Sequence, residues 1–336
     1  MRQFVWLVLL LVVTPTSAQP GAWVGKSIIT KRQGIKINRI DEKGGEVDAG
    51  DLDDDIEYRV LADKGKKIKV VTGKGTEGWF DKKDAVLLED AAAHFTDAIK
   101  RNPNDPGGYQ KRAHVQVQKN ELNSAIKDIS DAISLQPFDM AGWNSRGLVR
   151  IAQKKYDLAI TDFSLAIRIN PFLPAAYCNR AHAWSAKKEY QKAITDYTKA
   201  ILLEPKMAHA HSQRGFVRFL NKEYTEALRD FKVAQKLQPN NGHVYKNRAW
   251  LFASSADAEY RDGKQALEQA KKALVLERNP AGDFYEVLAA AYAELGDFME
   301  AIRWQEQALQ DPRYENDKGA KQRLDLYRKK TPYRQE

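Results

Sequence analysis

The 336-residue sequence contains a single cysteine, Cys178, which excludes any disulfide within the chain and leaves stability to packing. No cysteine follows the apolar run at the start, so lipid attachment at a cleavage-site cysteine is excluded as well. Beyond that run no stretch is apolar enough to cross a bilayer, which takes roughly 20 residues. Reactive motifs are missing too: there is no Gly-x-Ser-x-Gly elbow and no His-Glu-x-x-His pair. Two imitations of a phosphate loop fail. In WVGKSI the required earlier glycine falls on Pro20, and in TGKGTEGW Trp79 stands where a lysine must reach phosphate. The run DAGDLDDDIE lacks the alternating acids and central glycine of a calcium loop. Enzymes built on these devices are set aside, and no cofactor or metal is expected.

What is present begins with MRQFVWLVLLLVVTPTSAQP: Arg2, then apolar residues from Phe4 to Val13, then small residues through Thr16 and Ala18. That is the three-part grammar of a secretory signal peptide, and the run is half the length a retained membrane helix would need. Residues 1–18 are therefore expected to direct export, placing the chain in a bacterial periplasm or outside the cell, with membrane contact only before cleavage. The formal charge of +9 is uneven. Residues 21–90 are close to neutral, whereas Lys318, Lys321, Arg323, Arg328, Lys329, Lys330 and Arg334 crowd the end. A basic tail can hold acidic polymer or lipid, but the plain reading is a solvated helix face, and nucleic acid is not expected as a partner of an exported protein.

The middle of the chain repeats. Pro103, Pro137, Pro171, Pro205 and Pro239 lie 34 residues apart, as do Ala98, Ala132, Ala166, Ala200 and Ala234. Ala91, Ala125, Ala159, Ala193 and Ala227 keep the same interval, and a fixed period in this range marks a solenoid. Within YCNRAHAWSAKKEYQKAITDYTKAILLEP, Tyr177, Ala181 and Trp184 recur at helical spacing, and Ala193, Tyr197 and Ala200 do so after a polar break. Two helices per period follow. Alanines let their axes approach, the proline ends the second helix, and each hairpin leaves an apolar face that only a neighbour can cover.

These residues resemble a tetratricopeptide repeat array, whose pattern has an aromatic fourth, a small residue eighth, alanine twentieth, an aromatic twenty-fourth, alanine twenty-seventh and proline thirty-second. Units begin at Pro106, Met140, Pro174, Ala208, Gly242 and Gly282, preceded by a lone second helix with Ala91, Phe95 and Ala98. The resemblance implies a mainly α superhelical solenoid of one half repeat plus six units over 89–312, with a capping helix and basic tail over 313–336. Departures cluster late. The fifth unit carries extra residues in ASSADAEYRDGK, and the sixth has Gln305 for the aromatic and Arg313 for the proline.

Charge adds a second period. The seventh residue is Arg112, Arg146, Arg180, Arg214 and Arg248, and the twenty-third is Asp128, Asp162, Asp196 and Asp230 in the first four units. In the sixth unit both positions change together, to Leu288 and Trp304. Both flank the seam between a unit's helices, which predicts an intra-repeat ion pair in each of the four units, serving register more than stability. A ladder of arginines for an anionic ligand is the alternative.

Residues 22–88 alternate apolar and polar in short runs between glycine turns, as a small all-β barrel does. EGWFDKKDAVLL resembles the Gly-Trp close of bacterial Src-homology-3-like domains. That family often binds peptides, including those of the cell wall. Trp79 is then either a packing residue or a ligand contact, and the acid-rich stretch from Asp41 to Glu57 is expected to be a loop.

At about 100° per residue, repeat positions two, five, nine and twelve fall opposite the face that meets the partner helix. They place His114, Asn144, Leu148, Cys178, His182, His209, Phe216, Phe219, His243, Lys246 and Trp250 along one open groove, a surface suited to peptide capture. Cys178, His182 and His209 could alternatively form a cysteine–histidine dyad or a zinc site. The lysine–asparagine combination with which some tetratricopeptide domains clamp acidic carboxyl termini is absent from the fifth and ninth positions. The expectation is a non-enzymatic adaptor holding a protein or peptide segment, with an envelope-targeting module whose barrel binds cell-wall peptide as the alternative.

Overall fold

The computed structural model describes residues 23–31, 35–40, 46–52, 58–71 and 76–335. The signal peptide expected over residues 1–18 lies outside them, as does most of the stretch from Asp41 to Glu57. The chain divides into two compact units, residues 1–136 and 137–336.

The first unit opens with strands β1 (Ser27–Thr30), β2 (Lys36–Ile40), β3 (Glu46–Asp51), β4 (Tyr58–Asp63), β5 (Lys67–Val71), β6 (Glu77–Asp81) and β7 (Ala85–Leu87). They form one antiparallel sheet in the order β3-β2-β6-β5-β4-β1-β7. Period-two alternation turns Tyr58, Val60, Ile68, Val70 and Phe80 inward. Ile37 of β2 and Leu87 of β7, far apart in strand order, share that core, so the sheet rolls around one interior. The loop expected for the acidic stretch is corrected in part: Glu46–Asp51 is an edge strand paired with β2. Its acids bind lysines, Asp48 to Lys36 at 2.9 Å and Glu46 to Lys67, and such charge protects an exposed edge from pairing with other chains.

Helix α1 (Leu88–Arg101) follows β7 directly, and α2 (Pro106–Gln118) and α3 (Leu122–Leu135) complete the unit. Ile29 and Val86 of the sheet pack with Ala91, Phe95 and Val115 of the helices. The buried Lys111 Nζ donates to the Thr30 carbonyl at 3.2 Å.

The second unit is helical: α4 (Met140–Ala152), α5 (Tyr156–Ile169), α6 (Pro174–Ala186), α7 (Tyr190–Leu203), α8 (Ala208–Leu220), α9 (Tyr224–Leu237), α10 (Gly242–Ser254), α11 (Gly263–Leu276), α12 (Gly282–Glu294), α13 (Phe298–Leu309) and α14 (Lys318–Arg328). Helices α4 to α13 pair as consecutive antiparallel hairpins, and the alanines at the crossings are buried. At two seams a glycine makes room for a phenylalanine. A Cβ on Gly147 would lie 2.5 Å from the Phe163 ring, and one on Gly215 2.9 Å from Phe231. Where Tyr197 or Ala270 takes the twenty-fourth place, alanine (Ala181, Ala249) fits the eighth.

Every hairpin turn except that of the fifth unit is a Schellman motif. Lys188 sits at φ 63°, its N–H donating to Ser185 O, while Glu189 N–H reaches Trp184 O. Lys154, Lys222 and Gly296 take the same left-handed conformation, as Asn120 does in the first unit. In two repeats of the second unit the fourth-position residue donates to the proline after the preceding helix, Trp143 Nε1 to Pro137 O at 2.9 Å and Tyr245 Oη to Pro239 O at 3.0 Å. His211 Nε2 lies 3.0 Å from Pro205 O in the same arrangement, so this slot favours an aromatic ring with a polar tip.

The late departures from the period each have a structural partner. Gln305 is fully buried and donates to Glu286 Oε1 at 2.9 Å and to the Ala320 carbonyl of α14 at 3.2 Å. Arg323 of α14 binds the same carboxylate at 2.5 Å, and Tyr327 closes the end of the stack. Helix α14 is thus the cap, and part of the terminal basic cluster is neutralised within the fold: Arg328 meets Glu306 and Arg334 meets Glu294.

Candidate functional site

The first helices of successive hairpins lie in one row. Asn179 Nδ2 of α6 donates to Asn144 Oδ1 of α4 at 3.0 Å, and Asn247 Nδ2 of α10 to Ser212 Oγ of α8 at 3.3 Å. These bonds run between neighbouring inner helices, and they divide the wheel positions of the second unit into two classes. At positions two and nine His209, His243, Leu148 and His182 are exposed, while Phe216 and Trp250 are half-buried. Positions five and twelve face the next inner helix. Asn144 and Lys246 are half-buried there, the latter against Asp283.

Two groove residues are corrected on this ground. Phe219, 1% exposed, belongs to the core with Tyr224 and Leu251. Cys178, 7% exposed, packs with its Sγ 3.6 Å from Met207 Sδ at the start of α8. Burial, with Glu204 and Asp196 nearby, pushes its thiol up to about 12, so no thiolate forms near neutrality. Trp250 is also not open: the rings of Trp250 and Tyr333 lie 5.7 Å apart, with the Arg323 guanidinium 5.6 Å from the Trp250 ring. In the first unit His114 is half-buried on α2, and Trp79 is half-buried on β6 with Lys64 Nζ 4.7 Å over its ring. Among the described residues no group of three or more His, Cys, Asp or Glu side chains is arranged to hold a metal ion.

The histidines of the open row influence one another. Loss of surrounding water holds His209 below the ordinary histidine range, and His182 and His243 on either side push it further down. His182 is lowered by desolvation alone. His243 stands edge-on to Phe284, with ring centres 5.0 Å apart. Near neutral pH the row is therefore uncharged and amphipathic.

The four expected arginine–aspartate pairs all form within their own hairpins. Arg112 binds Asp128 at 2.7 Å, Arg146 binds Asp162 at 2.8 Å, Arg180 binds Asp196 at 2.7 Å and Arg214 binds Asp230 at 2.7 Å. Every pair is two-pronged, with both Nε and Nη2 donating to the carboxylate. Residue spacing alone does not reveal the third partner. Arg112 Nη1 donates to Thr96 Oγ1, Arg180 Nη1 to Ser164 Oγ and Arg214 Nη1 to Thr198 Oγ1, hydroxyls on the second helix of the preceding hairpin. Each of these arginines therefore ties three helices together. The period-34 hydroxyls Thr96, Ser164 and Thr198 were a visible signal for it. Arg150 and Arg218, one turn further along their helices, supply a second guanidinium to Asp162 and Asp230. Arg248, lacking an aspartate, reaches Gln235, which in turn donates to Gln269.

The sequence matches the tetratricopeptide repeat family over residues 111–174 and 174–207. The hairpins over residues 111–207 are tetratricopeptide repeats. Among solved structures, the chain resembles a tetratricopeptide repeat protein from Parabacteroides merdae at TM-score 0.60 and 16% identity, covering 72% of this chain and 92% of that one. The Cut9–Hcn1 hetero-tetramer of the APC/C gives TM-score 0.56 at 19% identity, covering 71% of this chain and 46% of that one. Yeast Tom70 gives 0.53 at 20% identity, covering 72% and 52%. At these identities the likeness is one of fold. No curated protein matches the sequence. Repeats of this family typically belong to non-enzymatic protein-interaction proteins.

Proposed function

We propose that the chain is an exported, non-enzymatic adaptor that holds an extended segment of another protein along the inner faces of α4, α6 and α8. The observation that carries this is the row of side chains on adjacent inner helices in which Leu148, His182 and His209 are exposed and Phe216 is half-buried. Such a row offers apolar area and ring edges at regular intervals, over a frame locked by the arginine staples, so little freedom is lost on binding. The Cut9 relative, solved in a hetero-tetramer with Hcn1, supports protein partnership as a use of this architecture.

Peptides selected from a random library on the purified chain test it. Their affinity should fall about tenfold with Phe216→Ala and with His182→Ala/His209→Ala, and stay unchanged with Lys199→Ala on an outer helix. Equal affinity for all variants would place the ligand elsewhere, and unfolding of Phe216→Ala would show that the ring is core. Export is checked by fractionation, since removal of residues 1–18 should retain the chain in the cytoplasm. Trp79 supports the second reading, in which the rolled sheet holds cell-wall peptide. Binding to purified wall that is lost with Trp79→Ala would favour it.

A further inference from the structure

The last residues of the chain lie on the same row of helices. Helix α14 ends at Arg328, and the chain turns at Lys330, a non-glycine residue at φ 54°. The segment 331–335 then runs extended over the end of α10. Gln335 N–H donates to the Ser254 carbonyl at 2.7 Å, and Gln335 pairs with Ser255 as an isolated parallel bridge. Tyr333 packs against Trp250, and Arg323, held from below by Glu286, lies 5.5 Å from the Tyr333 ring and 5.6 Å from the Trp250 ring. Arg334 Nη1 meets Glu294 Oε2 at 2.7 Å, while the other oxygen of that carboxylate takes Arg261 at 3.2 Å.

This seat has the parts of a peptide site. It offers backbone pairing that is indifferent to sequence, an aromatic shelf, and a half-shielded carboxylate for a cation. Most of it belongs to other elements: Trp250 and Ser254 to α10, Arg261 to the fifth unit's insertion, Glu294 to α12 and Arg323 to the cap. The occupant is held differently from the cap. Leu324 and Tyr327 of α14 are buried in the stack, whereas residues 332–335 are only half-buried and Thr331 is exposed.

We propose that Thr331–Gln335 is a displaceable strap, and that its seat is a binding site for an extended peptide carrying an aromatic residue followed directly by arginine. The strap is the intramolecular occupant. Its release uncovers Trp250 and lengthens the open row by one repeat. The inference rests on the groove reading only for the use of that added length, since the seat and its ligand chemistry stand on their own contacts.

The test is a chain truncated after Lys330, which keeps α14, assayed with a fluorescent peptide of residues 330–336. The truncated chain should remain folded by circular dichroism and bind the peptide, while the intact chain binds it about tenfold more weakly because the site is filled. Peptides with Tyr333→Ala or Arg334→Ala, and a truncated chain with Glu294→Gln, should each lose about tenfold. A folded truncated chain that ignores the peptide overturns the proposal, as does equal binding by intact and truncated chains. Unfolding on truncation also overturns it, because the segment would then be part of the cap. Phe216→Ala in the truncated background separates the two readings: retained peptide binding supports the strap even where the groove reading fails.

Discussion

The arginine staple makes a quantitative prediction at Arg180 and Asp196. Asp196 is 8% exposed at its side chain and Arg180 21%, joined by bonds of 2.7 and 2.8 Å, with Ser164 accepting a third at 3.0 Å. Arg180→Leu strands a carboxylate with almost no access to water. Breaking a buried pair from one side costs 3–5 kcal/mol, and the partly exposed guanidinium argues for the lower end, about 3 kcal/mol. Asp196→Leu strands a cation that keeps Ser164 and some water, so about 2 kcal/mol is expected. The double leucine variant removes both charges, and the sixth unit shows that the seam accepts an apolar pair there: Leu288 is 2% exposed and packs in a cluster with Trp304. It should lie within about 1 kcal/mol of the parent, a coupling of about 4 kcal/mol. Urea unfolding followed by circular dichroism and by tryptophan fluorescence checks this, with coincident curves required because repeat arrays can unfold in stages. A double variant as unstable as the two single losses combined would refute the reasoning. The arginines would then not be structural partners of the aspartates, and the alternative of an anion-binding ladder would return.

The same reasoning ranks the other seams: Asp162, fully buried beneath both Arg146 and Arg150, should cost about 1–2 kcal/mol more than Asp196 when replaced by leucine, measured by the same urea curves. Gly147→Ala drives a methyl to 2.5 Å from the buried Phe163 ring and should cost about 1–3 kcal/mol, which Gly147→Ala/Phe163→Leu should partly restore. Lys188→Gly should stabilise by about 0.5 kcal/mol, because relief of left-handed strain at φ 63° exceeds the added freedom of the unfolded chain. A lower melting temperature would show that the lysine makes compensating contacts. Acid should weaken the fold through His182 and His209: both are held below the ordinary value in the folded chain, so the unfolded chain takes up protons first. Stability present above the unfolded histidine range near pH 6.5 is then lost as pH falls toward the folded values. The urea midpoint should drop between about pH 7.5 and pH 5.5, and His182→Gln/His209→Gln should flatten that slope.

The helices and their seams were legible because close packing leaves few choices. Only small residues fit where two helix axes cross, only a residue without an N–H ends the second helix so consistently, and an arginine and an aspartate recurring 16 residues apart fall on facing helices. The open face was legible only in part. A helical wheel treats each helix alone, with one neighbour and one free side, but an inner helix of the array has a hairpin partner and also the next inner helix. Positions five and twelve point at that second neighbour, which is why Phe219 packs into the core and Cys178 packs against Met207, while Leu148 and His182 at position nine remain open.

Departures from the repeat are the more informative signal, because each one marks a place where something other than the next repeat must be accommodated. Gln305 replaces an aromatic residue and donates to Glu286 and to a main-chain carbonyl of α14. Leu288 and Trp304 replace a salt bridge beside an aromatic stack in which Tyr285 lies 5.9 Å from Trp304. The fifth unit's insertion replaces a Schellman turn and carries Ser255, which pairs with Gln335, and Arg261, which shares Glu294 with Arg334. Fading of the pattern toward the end therefore does not mean loosening of the fold. Gln305 and Trp304 contact the cap and Ser255 the strap, so a repeat array can be searched for its non-repeat partners by asking which positions break step.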